Sequence, residues 1–298
     1  MKSVIKTMKR ILRRLILKAG YYPFRFQVSS KINFVKYVYF TAKMQRIYHS
    51  VATEKTDDLK RLREYHEIYK GKRCFIIGNG PSLNKLDLTL LKDEYTFGAN
   101  AIYLHKEKMG GLPKFMAVTD YLVAEDRCDE LNQLEGVTMF IPVNLTYVIK
   151  PRPNVVLLKY YYPDVGKKII LPHNLTEGAY GYGSVSFLNL QLAFHMGFQE
   201  VYLIGMDHTY KDDKAFKRVV SKFGTSAGER IVESDDQNHF HPDYFGKGYR
   251  WHDPKIEPMI LSHEYAKESY EADGRNIFNA TFGGKLEVYE RVDYNSLF

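Results

Sequence analysis

The chain has 298 residues, 45% of them hydrophobic and 26% charged, an ordinary globular composition with length for one large core. Its net charge of +8 is uneven: residues 1–53 hold twelve Lys and Arg and no Asp or Glu, leaving 31 basic against 35 acidic residues beyond. That asymmetry argues against nucleic-acid binding by the main domain, and two cysteines, Cys74 and Cys128, are too few for a disulfide framework.

No apolar run approaches the roughly 20 residues needed to span a bilayer. At the N-terminus Val4, Ile5, Met8, Ile11, Leu12, Leu15 and Ile16 share one helical face, and Lys2, Lys6, Lys9, Arg10, Arg13 and Arg14 occupy the other. Such a helix over residues 1–18 suits the surface of an anionic membrane, gaining about 1 kcal/mol per basic residue near the headgroups. Docking on its own domain and an organelle transit peptide are the other readings. A charged helix is expected over Asp57–Tyr69, so residues 1–70 read as a basic helical extension and 71–298 as the catalytic domain.

From Lys72 onward short apolar runs alternate with helical stretches. Strands are expected at Cys74–Ile77, Tyr95–Asn100, Lys114–Thr119, Thr138–Val143, Val155–Tyr160, Val201–Gly205 and Asn276–Thr281, with helices at Ser184–Met196 and Pro254–Asp273. This alternation predicts an α/β, Rossmann-like fold with a mainly parallel sheet flanked by helices. Residues 209–253 break the pattern; their length and polarity, with aromatic residues at 238–245, suggest a lid.

The first strand runs Arg73-Cys74-Phe75-Ile76-Ile77 into Gly78-Asn79-Gly80-Pro81-Ser82-Leu83. Glycines there permit close backbone approach to a ligand, Pro81 suits the first turn of a helix, and a helix N-terminus offers N–H groups to an anion. The loop lacks the third glycine of the dinucleotide fingerprint and the Gly-Lys-Ser/Thr of a Walker A loop. Asn100 ends the second strand, where a ribose or base edge could be read, and Asp120 ends the third; either could instead cap a following helix. Gly183 and Ser184 precede the helix at 184–196 and offer a second anion site, with a plain N-cap as the simpler role. Asp207 closes the strand Glu200–Met206, followed by Tyr210 at the start of the lid.

Ile77–Leu83, Asn100 and Met196–Asp207 resemble the bacterial CMP-sialic-acid-dependent sialyltransferases of glycosyltransferase family forty-two, a GT-A-like variant of the fold, and a wider MptE-like group that includes Maf proteins and hydroxymethylpterin pyrophosphokinases. The resemblance spans about residues 72–290. It implies that Gly78, Asn79, Gly80, Ser82 and Asn100 bind the nucleotide of the donor, with Gly183 and Ser184 near its phosphate and Tyr210 stabilising the leaving group. Lys211, Lys214 or Arg218 would stand in for a second lid tyrosine. Where those enzymes carry a strand-end Asn, this chain has Asp120. The general base implied is a lid histidine, for which His239, His241 and His252 compete. A His239/His241 metal pair lacks a third ligand at zinc spacing.

No Asp-x-Asp follows any expected strand, which favours a metal-independent CMP donor over a metal-clamped diphosphate donor. The reading is therefore inverting transfer of a nonulosonic or related sugar from CMP to a glycan or lipid-linked acceptor in surface polysaccharide synthesis, at the inner face of the cell membrane. No cofactor is expected, and a homo-oligomer is compatible. The alternative is an ATP- and Mg²⁺-dependent pterin pyrophosphokinase with Asp120 and Asp207 holding the metal. A non-catalytic sugar- or nucleotide-binding subunit is a third class.

Overall fold

The computed structural model describes residues 57–163, 167–211, 216–217, 229–252 and 254–298, with the backbone alone for 216–217 and 229–231. The amphipathic helix expected at 1–18 lies outside the described residues. Among the described residues no helix is long and apolar enough to cross a membrane.

Eight strands form one fully parallel sheet, in the order β13-β12-β8-β1-β2-β3-β4-β5. These are β1 (Arg73–Ile77), β2 (Thr96–Ala99), β3 (Phe115–Ala117), β4 (Thr138–Pro142), β5 (Val155–Leu158), β8 (Glu200–Ile204), β12 (Asn276–Asn279) and β13 (Glu290–Arg291). The inner strands read as continuous apolar runs, Arg73-Cys-Phe-Ile-Ile in β1 and Val-Val-Leu-Leu in β5, because both faces are covered. A parallel pair, β6 (Tyr160–Tyr161) with β7 (Ala179–Tyr180), and an antiparallel set, β9 (Phe216–Lys217), β10 (Glu229–Val232) and β11 (Arg250–His252), stand apart.

Among the described residues five α-helices accompany the strands: α1 (Asp57–Tyr65), α2 (Tyr121–Asp126), α3 (Cys128–Leu131), α4 (Val185–His195) and α5 (Ile256–Ala272). Helix α4 is apolar on nearly all sides and buried along its length, as a central helix must be. Asn189 Nδ2 donates to Gly98 O (3.0 Å), leaving its Oδ1 unpartnered, and the Gln191 amide bonds both the N–H and the C=O of Tyr180. Helix α5 lies beside α4 on the same face, where the Tyr270 hydroxyl donates to Leu190 O at 2.8 Å. On the opposite face Phe75 stacks against Tyr202 and Phe298, and Tyr294 reaches Asp87 O.

From β1 the chain builds outward through β2, β3, β4 and β5, then returns to place β8 on the other side of β1. The β1/β8 junction is therefore the point where strand order reverses, and ligands of open α/β sheets bind in the crevice beyond the carboxyl ends of such strands.

Candidate active site

At that junction the two strand exits close on each other. Gly78 N–H donates to Ile204 O and Gly80 N–H to Gly205 O. A Cβ on Gly78 would lie 2.3 Å from Gly205 O, and one on Gly80 would lie 1.8 Å from an Asp207 oxygen. The Ser82 hydroxyl donates to Asp207 Oδ2 at 2.6 Å and its amide to Oδ1 at 3.3 Å. The glycines thus serve the approach of one backbone to another, and the N–H groups of Gly78, Gly80 and Ser82, expected to face an anion, are used within the protein. The helix expected after Pro81 is a five-residue 3-10 turn, Pro81–Lys85, without an α-helical N-terminus. Burial raises the Asp207 carboxyl above its ordinary value, against the pull of the two Ser82 bonds and Lys85. Asn79, half-buried in this loop, has a side-chain oxygen that is buried without a hydrogen-bond partner.

Asn100 ends β2 in the left-handed region (φ 52°), a conformation Asn tolerates better than most residues. Its side-chain oxygen also lacks a partner; burial raises the neighbouring Tyr244 phenol above its ordinary value, against the pull of the Asn100 side chain and the Ala101 amide beside it. Asp120 caps α2, accepting from Leu122 N–H at 2.8 Å, and faces His252 Nε2 at 3.8 Å. Asp120 and Asp207 stand three strand intervals apart, about 14 Å at about 4.8 Å per interval. Both are also engaged within the protein. The expected Mg²⁺ clamp from this pair does not fit, since one ion cannot touch both.

Gly183 adopts φ 69°, and a Cβ there would meet Pro258 O at 2.5 Å. Ser184 stands at the N-cap of α4 but does not cap it with its side chain; its hydroxyl pairs with that of Ser186. The α4 N-terminus lies at the carboxyl edge of the sheet, one turn beyond the Asn189–Gly98 bond. The start of α5 joins the two turns: Gly183 packs on Pro258, Met259 and Ser262, and the Tyr210 hydroxyl lies 3.9 Å from Met259 Sδ. Tyr210 also sits beside Asp207; burial first, then that carboxylate, push its phenol up to about 12, so it remains a hydroxyl donor at neutral pH. The loop after β1 and the turn before α4 therefore share one sheet edge, while the segments that follow them diverge to opposite faces.

Over this edge lies a strap, residues 232–252. Phe240 N–H donates to Asn79 O (3.0 Å), and Asn84 Nδ2 donates to Phe240 O (2.7 Å). Beside that contact His239 Nδ1 bonds Asp236 Oδ2 at 2.7 Å, and its ring stacks on Tyr244 with centroids 4.2 Å apart. Burial would raise the Asp236 carboxyl, but the His239 bond and charge and the amides of Asn238 and Phe245 outweigh it and hold the group below its ordinary value. A carboxylate fixed on Nδ1 leaves Nε2 to take a proton, the arrangement of an oriented general base.

The three histidines that compete in the sequence thus acquire different settings. His239 has a buried aspartate; His252 has the looser contact to Asp120 and packs on Tyr121; His241 accepts the Asp243 amide through Nδ1 within its own turn. Among the described residues no group of three or more His, Cys, Asp and Glu is placed to hold a metal. Lys211 N–H donates to Asn238 Oδ1, and Lys214 and Arg218 lie outside the described residues.

Sequence reasoning passed over Asp236, Tyr244 and His263. Asp-x-x-His was legible as a candidate pair, but nothing local marks Tyr244 as the neighbour of Asn100. His208 takes φ 50°, its ring 5.2 Å from that of the fully buried His263. Burial lowers these imidazoles to about 4 and about 3, so both are neutral, with His208 Nδ1 and His263 Nε2 unpartnered.

No curated protein matches the chain. A family model described as 6-hydroxymethylpterin diphosphokinase MptE-like matches residues 45–213. The match takes in every strand from β1 to β8 and with them the β1/β8 junction, and it ends before the strap. Covering more than half of the sequence, and with a parallel Rossmann-like sheet beneath it, the match shows that this chain belongs to the MptE-like family.

Proposed function

We propose that the protein is a transferase that moves a nonulosonic or related sugar from a CMP donor to a hydroxyl of a glycan or lipid-linked acceptor, with inversion. The observation that carries this reading is the Asp236–His239 pair, held over Asn79 by the Phe240 backbone bond. His239 Nε2 takes the proton of the acceptor hydroxyl as its oxygen attacks the anomeric carbon, and Asp236 steadies the imidazolium that forms. A base of this kind contributes about 10²–10⁴-fold. As the bond to CMP breaks, the phosphate gathers charge near the Tyr210 hydroxyl and the N–H groups opening α4, fixed dipoles that stabilise it without reorganisation. Asn79 and Asn100, each with an unpartnered side-chain oxygen, face the nucleotide.

The family description favours a second reading, diphosphate transfer from ATP to a pterin hydroxyl. It would use the same base on a different electrophile, with a metal held by groups other than an Asp120–Asp207 pair. A thermal-shift panel of CMP, CDP, UDP, GDP and ATP, each with and without Mg²⁺, separates the two. Stabilisation by CMP without metal supports sugar transfer, and a shift confined to ATP with Mg²⁺ supports the pterin reaction and ends the first.

The basic segment 1–18 would hold the enzyme on the inner face of the cell membrane, near lipid-linked acceptors. Removing residues 1–20 should weaken sedimentation with anionic vesicles; undiminished binding would leave that segment another role.

A further inference from the structure

The strap is fastened at two places by buried arginines that no step above uses. Arg250, on β11, donates from its guanidinium to Glu125 Oε2 (2.7 Å) and Asp126 Oδ1 (2.5 and 2.8 Å), and from its backbone to Asp126 Oδ2 (2.9 Å). Glu125 is itself held by the Tyr147 hydroxyl at 2.6 Å. Arg127, only 3% exposed, donates to the carbonyls of Asp243 and Tyr244 and to the Tyr103 hydroxyl, and lies 4.1 Å from the centre of the Tyr249 ring. All three anchoring residues, Glu125, Asp126 and Arg127, are consecutive at the end of α2, the helix whose first turn is capped by Asp120.

A buried ion pair is often no more stabilising than packed apolar side chains, whereas the rigid fork of donors on a guanidinium holds several acceptors in one arrangement. Here that geometry reaches the candidate base in two steps: Arg127 fixes the Tyr244 carbonyl, and the Tyr244 ring is the surface on which His239 stacks. Arg250 fixes the other end of the strap, next to His252. We propose that Arg127 and Arg250 are positioning residues, which set the strap and its Asp236–His239 pair at the carboxyl edge of the sheet. The part of the inference that concerns turnover rests on His239 being the base; the part that concerns the strap does not.

The test uses the full chain with Arg250→Met, Arg127→Met and the conservative Arg127→Lys. Amide hydrogen exchange is read across residues 236–245, and transfer from a CMP-sugar is read as separate kcat and KM. In both methionine variants exchange should rise over 236–245 while the amides of β1 and β8 stay protected. Their kcat should fall by about 100-fold, as misplacement by an ångström can cause, with KM for the donor changed far less. Arg127→Lys, keeping one donor for the two carbonyls, should recover part of the loss. Asp126→Asn combined with Arg250→Met should be no worse than Arg250→Met alone, because the two residues act as one contact.

Unaltered exchange over 236–245 in both methionine variants would overturn the fastening. Raised exchange with unchanged kcat would overturn the positioning role and leave His239 in place. A wild-type chain that turns over no CMP-sugar would count against the proposed reaction, and the exchange comparison would still decide the fastening. Should a methionine variant lose protection across the whole sheet, Arg127→Lys supplies the same comparison in a folded chain.

Discussion

The loop after β1 and the strap at 232–252 meet at Asn79, yet they are built on opposite plans. The loop carries the most recognisable motif in the sequence, and its amides, glycines and Ser82 are largely spent on β8. The strap carries a weaker signal, three competing histidines, and it brings one of them, His239, to the sheet edge oriented by the Asp236 carboxylate. A glycine-rich strand exit is therefore first a joint between strands. Its shape is set by backbone packing, and in the proposed reaction the base comes from a segment distant in sequence.

That contrast can be broken at the joint. Gly78→Ala drives a Cβ against the Gly205 carbonyl, backbone that cannot step aside, and should cost about 3 kcal/mol of stability, read from denaturant unfolding. A loss within experimental error would mean the two exits are not tightly joined. Ser82→Ala removes the hydroxyl and with it the shortest bond to Asp207, keeping the amide bonds, and should cost about 1–3 kcal/mol. If the joint is structural, this loss appears in stability before it appears in turnover.

A third comparison uses acid. His208 and His263 are held neutral, with folded values of about 4 and about 3 against an ordinary 6.5. Between those limits the unfolded chain binds more protons than the folded one, so stability is full above pH 6.5 and falls as the pH drops toward 4. The slope should be about 1.4 kcal/mol per pH unit for each group fully titrating in the unfolded state only. His263→Gln should flatten the acid limb of a plot of thermal midpoint against pH; an unchanged limb would place the acid sensitivity elsewhere.

Much of the scaffold was legible in the sequence, because a strand buried on both faces must be apolar throughout. Cys74–Ile77, Thr138–Val143 and Val155–Tyr160 announce themselves in this way and lie within two residues of the observed strands. Edge strand β13 did not, since Glu290 and Arg291 are exposed and pair with β12 on one side only. The helix expected after Pro81 proved a short 3-10 turn, Pro81–Lys85, which ends where Leu86 turns extended. At the site, Asn79, Asn100, Asp120 and Asp207 were placed at strand ends from sequence, as strand periodicity allows. The partners that give them meaning, Tyr244 on Asn100 and Ser82 on Asp207, are long-range contacts that no local pattern encodes. The pairing of Asp120 with Asp207 fails for the same reason: sequence puts both at strand ends without saying that two strands lie between them.

The central claim is that chemistry resides on the strap while the glycine loop serves as scaffold, and one measurement addresses it directly. Single-turnover transfer from a CMP-sugar and CMP affinity are compared in wild type and His239→Ala. The account predicts a rate lower by about 10²–10⁴-fold, with CMP affinity and thermal midpoint nearly unchanged. An unaltered rate, or a loss wholly explained by weakened CMP binding, would contradict it.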